Sequence, residues 1–530
     1  MPTSILNKNR FQVPFLGEKL STIKGLDPLG LQITSESTYG VLLPGLTNVT
    51  HRIRYYGFYC WLLAQYAEQV GEIDAKRQQN FVRRAELVVA LLIRTTGDKP
   101  LHIPGSAFAD RMILENAGAD YRLDKGADSR PGGNPDTYWK ARMGAFGQYY
   151  AGSMRALGLV ATSAHDDQLF VRTNAHPLRM SGQQVAEAFA ERIPEDVQVL
   201  FLATVESGRL ARADIKILSK YFDISRLPAK GKEQKTYLQL LNGVDWPLQE
   251  SELPAMHRAT SLRLALAYIH QDAQRTWVDF LVDNYLGAGK GEEALTLQGW
   301  YFYQLNEYWQ VACGSVLAAL LRALEAEGGY AHVPTFLAGF TQLVVAQLQE
   351  LLPDLDVDSS VGAFLAEGAV QEQGEEGYAA LCQESEDNQL PVEQAAAALA
   401  LVWQLFRRNH AHFPELRQYG KANGLLREGN FIDYAQNASA KLDWPVSEYV
   451  YDFLYRDIVV RHQYVAMRKM GAGLQSTLKF EVEGEWFRRI DTIRARFSGP
   501  RLDVLLLMAT DLHLIDQNNV LTPQGQALIA

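Results

Sequence analysis

A mainly helical, multi-domain fold carrying two small winged-helix-like (α+β) modules is what this 530-residue chain predicts. Three observations lead there. Apolar residues recur at helical spacing almost throughout. Strand signals are few and short, with no strand–helix alternation of the kind that builds a parallel sheet. Two stretches also share one order, in which a helix, a short apolar hinge, a strand, a polar turn and a second strand lead into another helix.

Taken in order, helices are expected over Asn48–Val70, Ala75–Thr96, Tyr138–Leu157, Gln183–Glu191, Ala255–Asp272, Gln274–Tyr285, Leu297–Ala326, Thr335–Leu352, Val392–Arg408 and Val446–Met470. Strong helix formers fill them, as in "VEQAAAALALVWQLFRR" after Pro391. Strands are expected at Leu169–Arg172, at Thr477–Val482 and as a pair near the C-terminus. Glycine, proline and charge mark Asp124–Asp136 as a loop, and "SRLPAKGKEQKTY" (Ser225–Tyr237) reads as a basic linker. The resulting division is an N-terminal helical domain (1–124), a winged-helix-like module (137–195), a helical middle (196–322), an acidic helical segment (323–406), a basic helical segment (407–475) and a C-terminal winged-helix-like module (476–530).

The two modules are "AGSMRALGLVATSAHDDQLFVRTNAHPLRMSGQQVAEAF" and "PRLDVLLLMATDLHLIDQNNVLTPQGQALIA". In each, a helix ends in a small apolar hinge ("LGLV", "LHLI") and a Ser-Gly or Thr-Pro pair opens the next helix. Winged-helix domains of bacterial regulators read in this way.

With 47% hydrophobic and 21% charged residues, the composition is that of a globular protein. Cys60, Cys313 and Cys382 lie far apart, which suits a reducing cytoplasm and offers no paired metal or redox spacing. No apolar run reaches the roughly 18 residues of a membrane span, and the start lacks the pattern of a signal peptide. The expected location is cytoplasmic, with no membrane partner. The net charge of −10 is unevenly spread, because fourteen acids and no lysine or arginine lie between Arg322 and Arg407. Without that block the remainder is mildly basic. The block itself is expected to face solvent or a basic protein surface.

Catalytic signatures are sparse. Gly287-Ala288-Gly289-Lys290 lacks both the upstream glycine and the following Ser or Thr of a phosphate-cradling loop. Glu233 and Lys235 lie in the expected linker, without the strands a metal-dependent nuclease requires. His410 and His412 are two apart and point to different faces of a helix, so they do not form the zinc-enzyme pair. No metal and no cofactor is expected. The strongest motif is "YRDIVVRHQYVAMRKMG", where Arg456 and His462 resemble the arginine–histidine signature of HEPN ribonucleases, with one residue more between them than in many such sequences. That resemblance implies metal-independent RNA cleavage, histidine transferring a proton and arginine steadying phosphate.

The same region favours binding over catalysis. Ten basic residues face five acids between Tyr455 and Leu502. Arg456, Arg461, Arg468, Lys469, Lys479, Arg488, Arg489, Arg494 and Arg496 are accordingly the candidate nucleic-acid contacts, directed at the backbone rather than at bases. The N-terminal stretch "GLDPLGLQITSESTYGVLLPGLTNVTHRIRYYGFYCWLL" supplies a second candidate surface. Thr47 or Asn48 is expected to cap a helix whose Arg52, Arg54, Tyr55, Tyr56, Tyr59 and Trp61 either bind a partner protein or fill a core with the arginines ion-paired.

This N-terminal stretch, together with "YRDIVVRHQYVAMRKMGAGLQSTLKF" and the wing after it, is similar to an uncharacterised bacterial family associated with anti-phage defence operons. Two winged helices around a long helical middle also resemble the layout of kleisin-like subunits, which bridge SMC-type ATPases. These resemblances imply a non-enzymatic subunit of a multi-protein complex. Its partners would be other proteins of the operon, an SMC-like or ABC-type ATPase and a nuclease among them, with DNA as a further contact. A winged-helix DNA-binding regulator is the remaining alternative.

Overall fold

The computed structural model describes residues 27–71, 74–96, 100–116, 118–128, 136–164, 166–175, 179–243, 253–271, 277, 280–281, 292–367, 374–384, 389–470, 476–498 and 501–529. The protein is mainly helical, with its few strands in small antiparallel sheets. The chain forms two compact units, each assembled from two separate stretches. One takes residues up to Thr38 together with Leu297–Ser498, and the other takes Tyr39–Thr296 together with Gly499–Ala530. A linear division into six segments does not contain this partition. Residues 476–498 and 501–529, read above as one module, belong to different units.

In the unit containing Tyr39–Thr296, the core is built on the helix Arg54–Gln65, which packs against Gly182–Ala190. It begins six residues later than Asn48, because Thr47–Thr50 closes a turn of its own through the Thr50 hydroxyl. Gly57 lets the two layers meet. A Cβ there would lie 1.9 Å from the Tyr237 hydroxyl oxygen. Tyr237 belongs to the helix Lys232–Asn242, so half of the expected basic linker is ordered helix. Its Glu233 explains why: the carboxylate is buried against Arg54 at 2.8 Å.

The two helix–hairpin–helix stretches prove to share a joint, down to its hydrogen bonds. In the first, Val160–Thr162 pairs with Phe170–Arg172; in the second the hairpin shrinks to one bridge, Ile515 with Leu521. In both, a threonine hydroxyl donates to the last two carbonyls before the hairpin: Thr173 to Gly158 and Leu159, and Thr522 to His513 and Leu514. A glycine amide then donates back to that threonine oxygen, from Gly182 at 2.8 Å and from Gly525 at 3.2 Å. A Cβ on either glycine would sit 2.1 Å from the hinge leucine carbonyl, Leu159 or Leu514, which is why each next helix opens with glycine near its start.

The unit containing Leu297–Ser498 is organised around the long helix Glu292–Ala326 and the almost wholly buried helix Pro391–Asn409. The latter packs against Val333–Leu351 and Gly374–Cys382. The acidic block supplies helices to this scaffold while most of its described acids face solvent, Glu327, Glu350, Asp354, Asp356, Asp358, Glu376 and Glu384 among them. The exposed Glu325 pairs with Arg489 and the buried Glu375 with Arg408. A three-stranded antiparallel sheet has the order Tyr330–His332, Trp486–Arg489, Phe480–Glu483. The Gly287–Lys290 loop lies outside the described residues, as does the expected helix Gln274–Tyr285 apart from Trp277, Phe280 and Leu281.

Candidate interaction face and polar cleft

Residues 446–469 form one continuous helix whose middle, Phe453–Val460, is π-helical. Hydrogen bonds running i→i+5 widen those turns by one residue. The inner side is apolar and buried, with Phe453, Leu454, Ile458, Val459, Val465 and Ala466. The outer side is unusual because it is apolar too. Tyr455, Val460, Tyr464 and Met467 are 42%, 42%, 50% and 68% exposed. Tyr455 and Val460 are five apart and would diverge by about 140° on an α-helix of 100° per residue; the widened turns bring them back toward one face. Tyr451 stacks on Tyr455, and the Arg468 guanidinium lies 5.5 Å from the Tyr464 ring. The stripe from Tyr451 to Met467 runs about 24 Å at 1.5 Å per residue.

His462 faces the other way. It is fully buried; its Nδ1 lies 3.0 Å from the Pro28 carbonyl, and the Lys479 amide donates to Nε2 at 2.9 Å. An amide N–H only donates, so Nε2 must accept and Nδ1 must carry the proton. Burial, set against the Pro28 bond and aided by Lys479 and Lys469, pushes the imidazole down to about 4. Both nitrogens of a neutral ring are therefore committed to holding the chain at Pro28 to the chain at Lys479. Arg456 is exposed and paired with Asp452 at 2.7 Å, so the arginine and histidine of the ribonuclease-like motif do not converge.

Most of the expected nucleic-acid contacts are likewise engaged within the protein. Arg461 donates to the carbonyls of Leu29 and Glu428, and Lys469 to that of Asp27. Arg468 pairs with Glu428, Lys479 with Asp491, Arg488 with Glu481 and Arg489 with Glu325. Arg494 and Arg496 are exposed and line a cleft of about 620 Å³ with Gln383, Glu384 and Gln394. The N-terminal aromatic set lies in the interior. Tyr55, Tyr56, Tyr59 and Trp61 are at most 2% exposed and meet Tyr150, Phe146, Phe189 and Phe222. Arg54 pairs with Glu233, and Arg52 pairs with Asp511 at 2.6 Å. Of the two roles open to this helix, the core role is the one its burial matches.

A second feature escaped the sequence pattern. Beside the 446–469 helix, a cleft of about 490 Å³ is lined by Tyr434, Lys441, Tyr449, Asp452, Arg456 and Asp457 among others. Asp452 takes both cations, Lys441 and Arg456, while the Tyr434 and Tyr449 hydroxyls share a 2.6 Å hydrogen bond. Asp457 accepts no hydrogen bond from any described residue, and burial pushes its carboxyl up to about 6 despite Lys441 nearby. Among the described residues no group of three or more His, Cys, Asp or Glu is placed to hold a metal ion, and no helix is long and apolar enough to cross a membrane. Compared with known protein families, curated proteins and solved structures, the chain finds no match, so its chemistry is read from its own geometry.

Proposed function

We propose that this protein is a non-enzymatic helical subunit of a multi-protein assembly, of the kind encoded in prokaryotic anti-phage defence or DNA-handling operons. It would act in the cytoplasm. One observation carries this reading: the exposed Tyr455–Val460–Tyr464–Met467 stripe, an apolar helix face about three turns long. Tyrosine, methionine and arginine are residue types enriched at the energetic centres of interfaces. The occupant that fits is an amphipathic helix of a partner subunit with acidic residues beside its apolar stripe, because Arg456 and Arg468 rim this face. In this reading the two matched helix–hairpin–helix joints are winged-helix-like docking modules. Contact with DNA backbone falls to Arg494 and Arg496, and the partners are an SMC-like or ABC-type ATPase and a nuclease of the same operon.

The test is affinity purification of the tagged protein co-expressed with its neighbouring genes, against Tyr464→Glu and Met467→Glu. The wild type should retain partner chains, and each variant should lose them while melting within about 0.5 kcal/mol of wild type, as exposed substitutions do. A protein that stays solitary with its whole operon present would overturn the proposal.

A further inference from the structure

The cleft beside the 446–469 helix is lined by two opposite charges on adjacent residues, Arg456 and Asp457. The Arg456 Nε lies 2.7 Å from an Asp452 carboxylate oxygen, and the arginine side chain is 67% exposed, so its guanidinium remains open to a ligand from the cleft. Asp457, next in sequence, is half-buried, lines the same cleft and receives no hydrogen bond from a described residue. A carboxylate in a partly enclosed site is costly without a donor. The π-helical turns create this arrangement, because five-residue spacing brings Asp457 round toward the wall that carries Asp452. Counting Lys441 and Asp452, the cleft holds two positive and two negative side chains, and the Tyr434 and Tyr449 rings supply an apolar flank.

A bare cation would meet Lys441 and Arg456, and a bare anion would meet Asp457. A ligand bearing both charges close together meets neither objection. About 490 Å³ also suits a small molecule. We propose that this cleft binds a small zwitterion of the α-amino-acid class, its ammonium held by Asp457 and its carboxylate by the outer edge of Arg456. The groups facing Asp457 are Lys441, Asp452, Arg456 and Arg461, with Tyr434, Tyr449 and Cys313 behind. Burial holds those tyrosines and that cysteine above their usual ranges, so they stay neutral while Asp457 titrates.

The experiment is calorimetric titration of the full-length protein with each of the common L-amino acids, their N-acetyl forms and their amides. At least one free amino acid should bind. Its N-acetyl form, lacking the ammonium, and its amide, lacking the carboxylate, should each bind about tenfold or more weakly. Asp457→Asn should weaken the free amino acid by a similar factor, as should acidifying wild type from pH 7.5 to 5, since Asp457 gains its proton near 6. Binding by none of the amino acids overturns the proposal, and so does an N-acetyl form that binds as tightly as its parent. The N-acetyl comparison uses wild type alone, so it decides the question even if Asp457→Asn fails to fold.

Discussion

Replacing His462 with glutamine tests the claim that this histidine is a structural linker. In the wild type the folded imidazole is pushed down to about 4 from an ordinary 6.5. A depressed histidine favours the fold when neutral, so its contribution is complete above 6.5 and is lost as pH falls toward 4. At about 1.4 kcal/mol per unit, acidifying from pH 7 to 5 should cost the wild type about 2 kcal/mol through this one ring. The glutamine variant has no such proton to take up. At pH 7 it should be less stable by about 1–3 kcal/mol, the cost of stranding the Lys479 amide or the Pro28 carbonyl in the interior. The difference between the two proteins should then shrink by about 2 kcal/mol at pH 5. Urea midpoints of both at the two pH values supply the numbers, and selective ¹⁵N labelling reports whether Nδ1 carries the proton. Parallel pH dependence in the two proteins, or a ring that titrates near 6.5, would refute the reasoning.

Gly57→Ala should destabilise its unit by about 1–3 kcal/mol through overpacking, because the new methyl meets the Tyr237 oxygen; Gly57→Ala with Tyr237→Phe should melt higher than Gly57→Ala alone. Arg54→Met should cost about 3–5 kcal/mol in chemical denaturation, since Glu233 would remain buried without its cation. Arg494→Gln combined with Arg496→Gln should flatten the salt dependence of DNA binding by about 1.8 in log–log slope, if these two arginines form the backbone contact; an unchanged slope would remove them from that role.

Helix content was legible because an apolar stripe at 3.6-residue spacing is a local property, and Ala75–Thr95 and Pro391–Asn409 appear within a residue or two of their expected ends. Burial was not legible. The aromatic helix and the basic stretch carry the residue types that make either an interface or a core, and the deciding neighbours lie far away in sequence. Phe189, Phe222 and Glu233 enclose Arg54–Gln65. Glu325 and Glu428 answer Arg489 and Arg468. Ser225–Tyr237 reads as a linker because proline, glycine and lysine dominate it, yet its second half opens the helix Lys232–Asn242, whose Glu233 pairs with the distant Arg54.

By itself the sequence determined the helical class, the charge segregation and the likeness of the two helix–hairpin–helix joints, whose threonine and glycine positions follow from local hydrogen bonding and close packing. Only the tertiary structure decided which apolar and charged faces are spent inside. The outward stripe on 446–469 and the unpaired Asp457 depend on π-helical turns, and nothing in an α-helical reading of the same residues places them so. The physical reason is that periodicity records which side chains share a face, whereas exposure and ion pairing depend on what the rest of the chain brings against it.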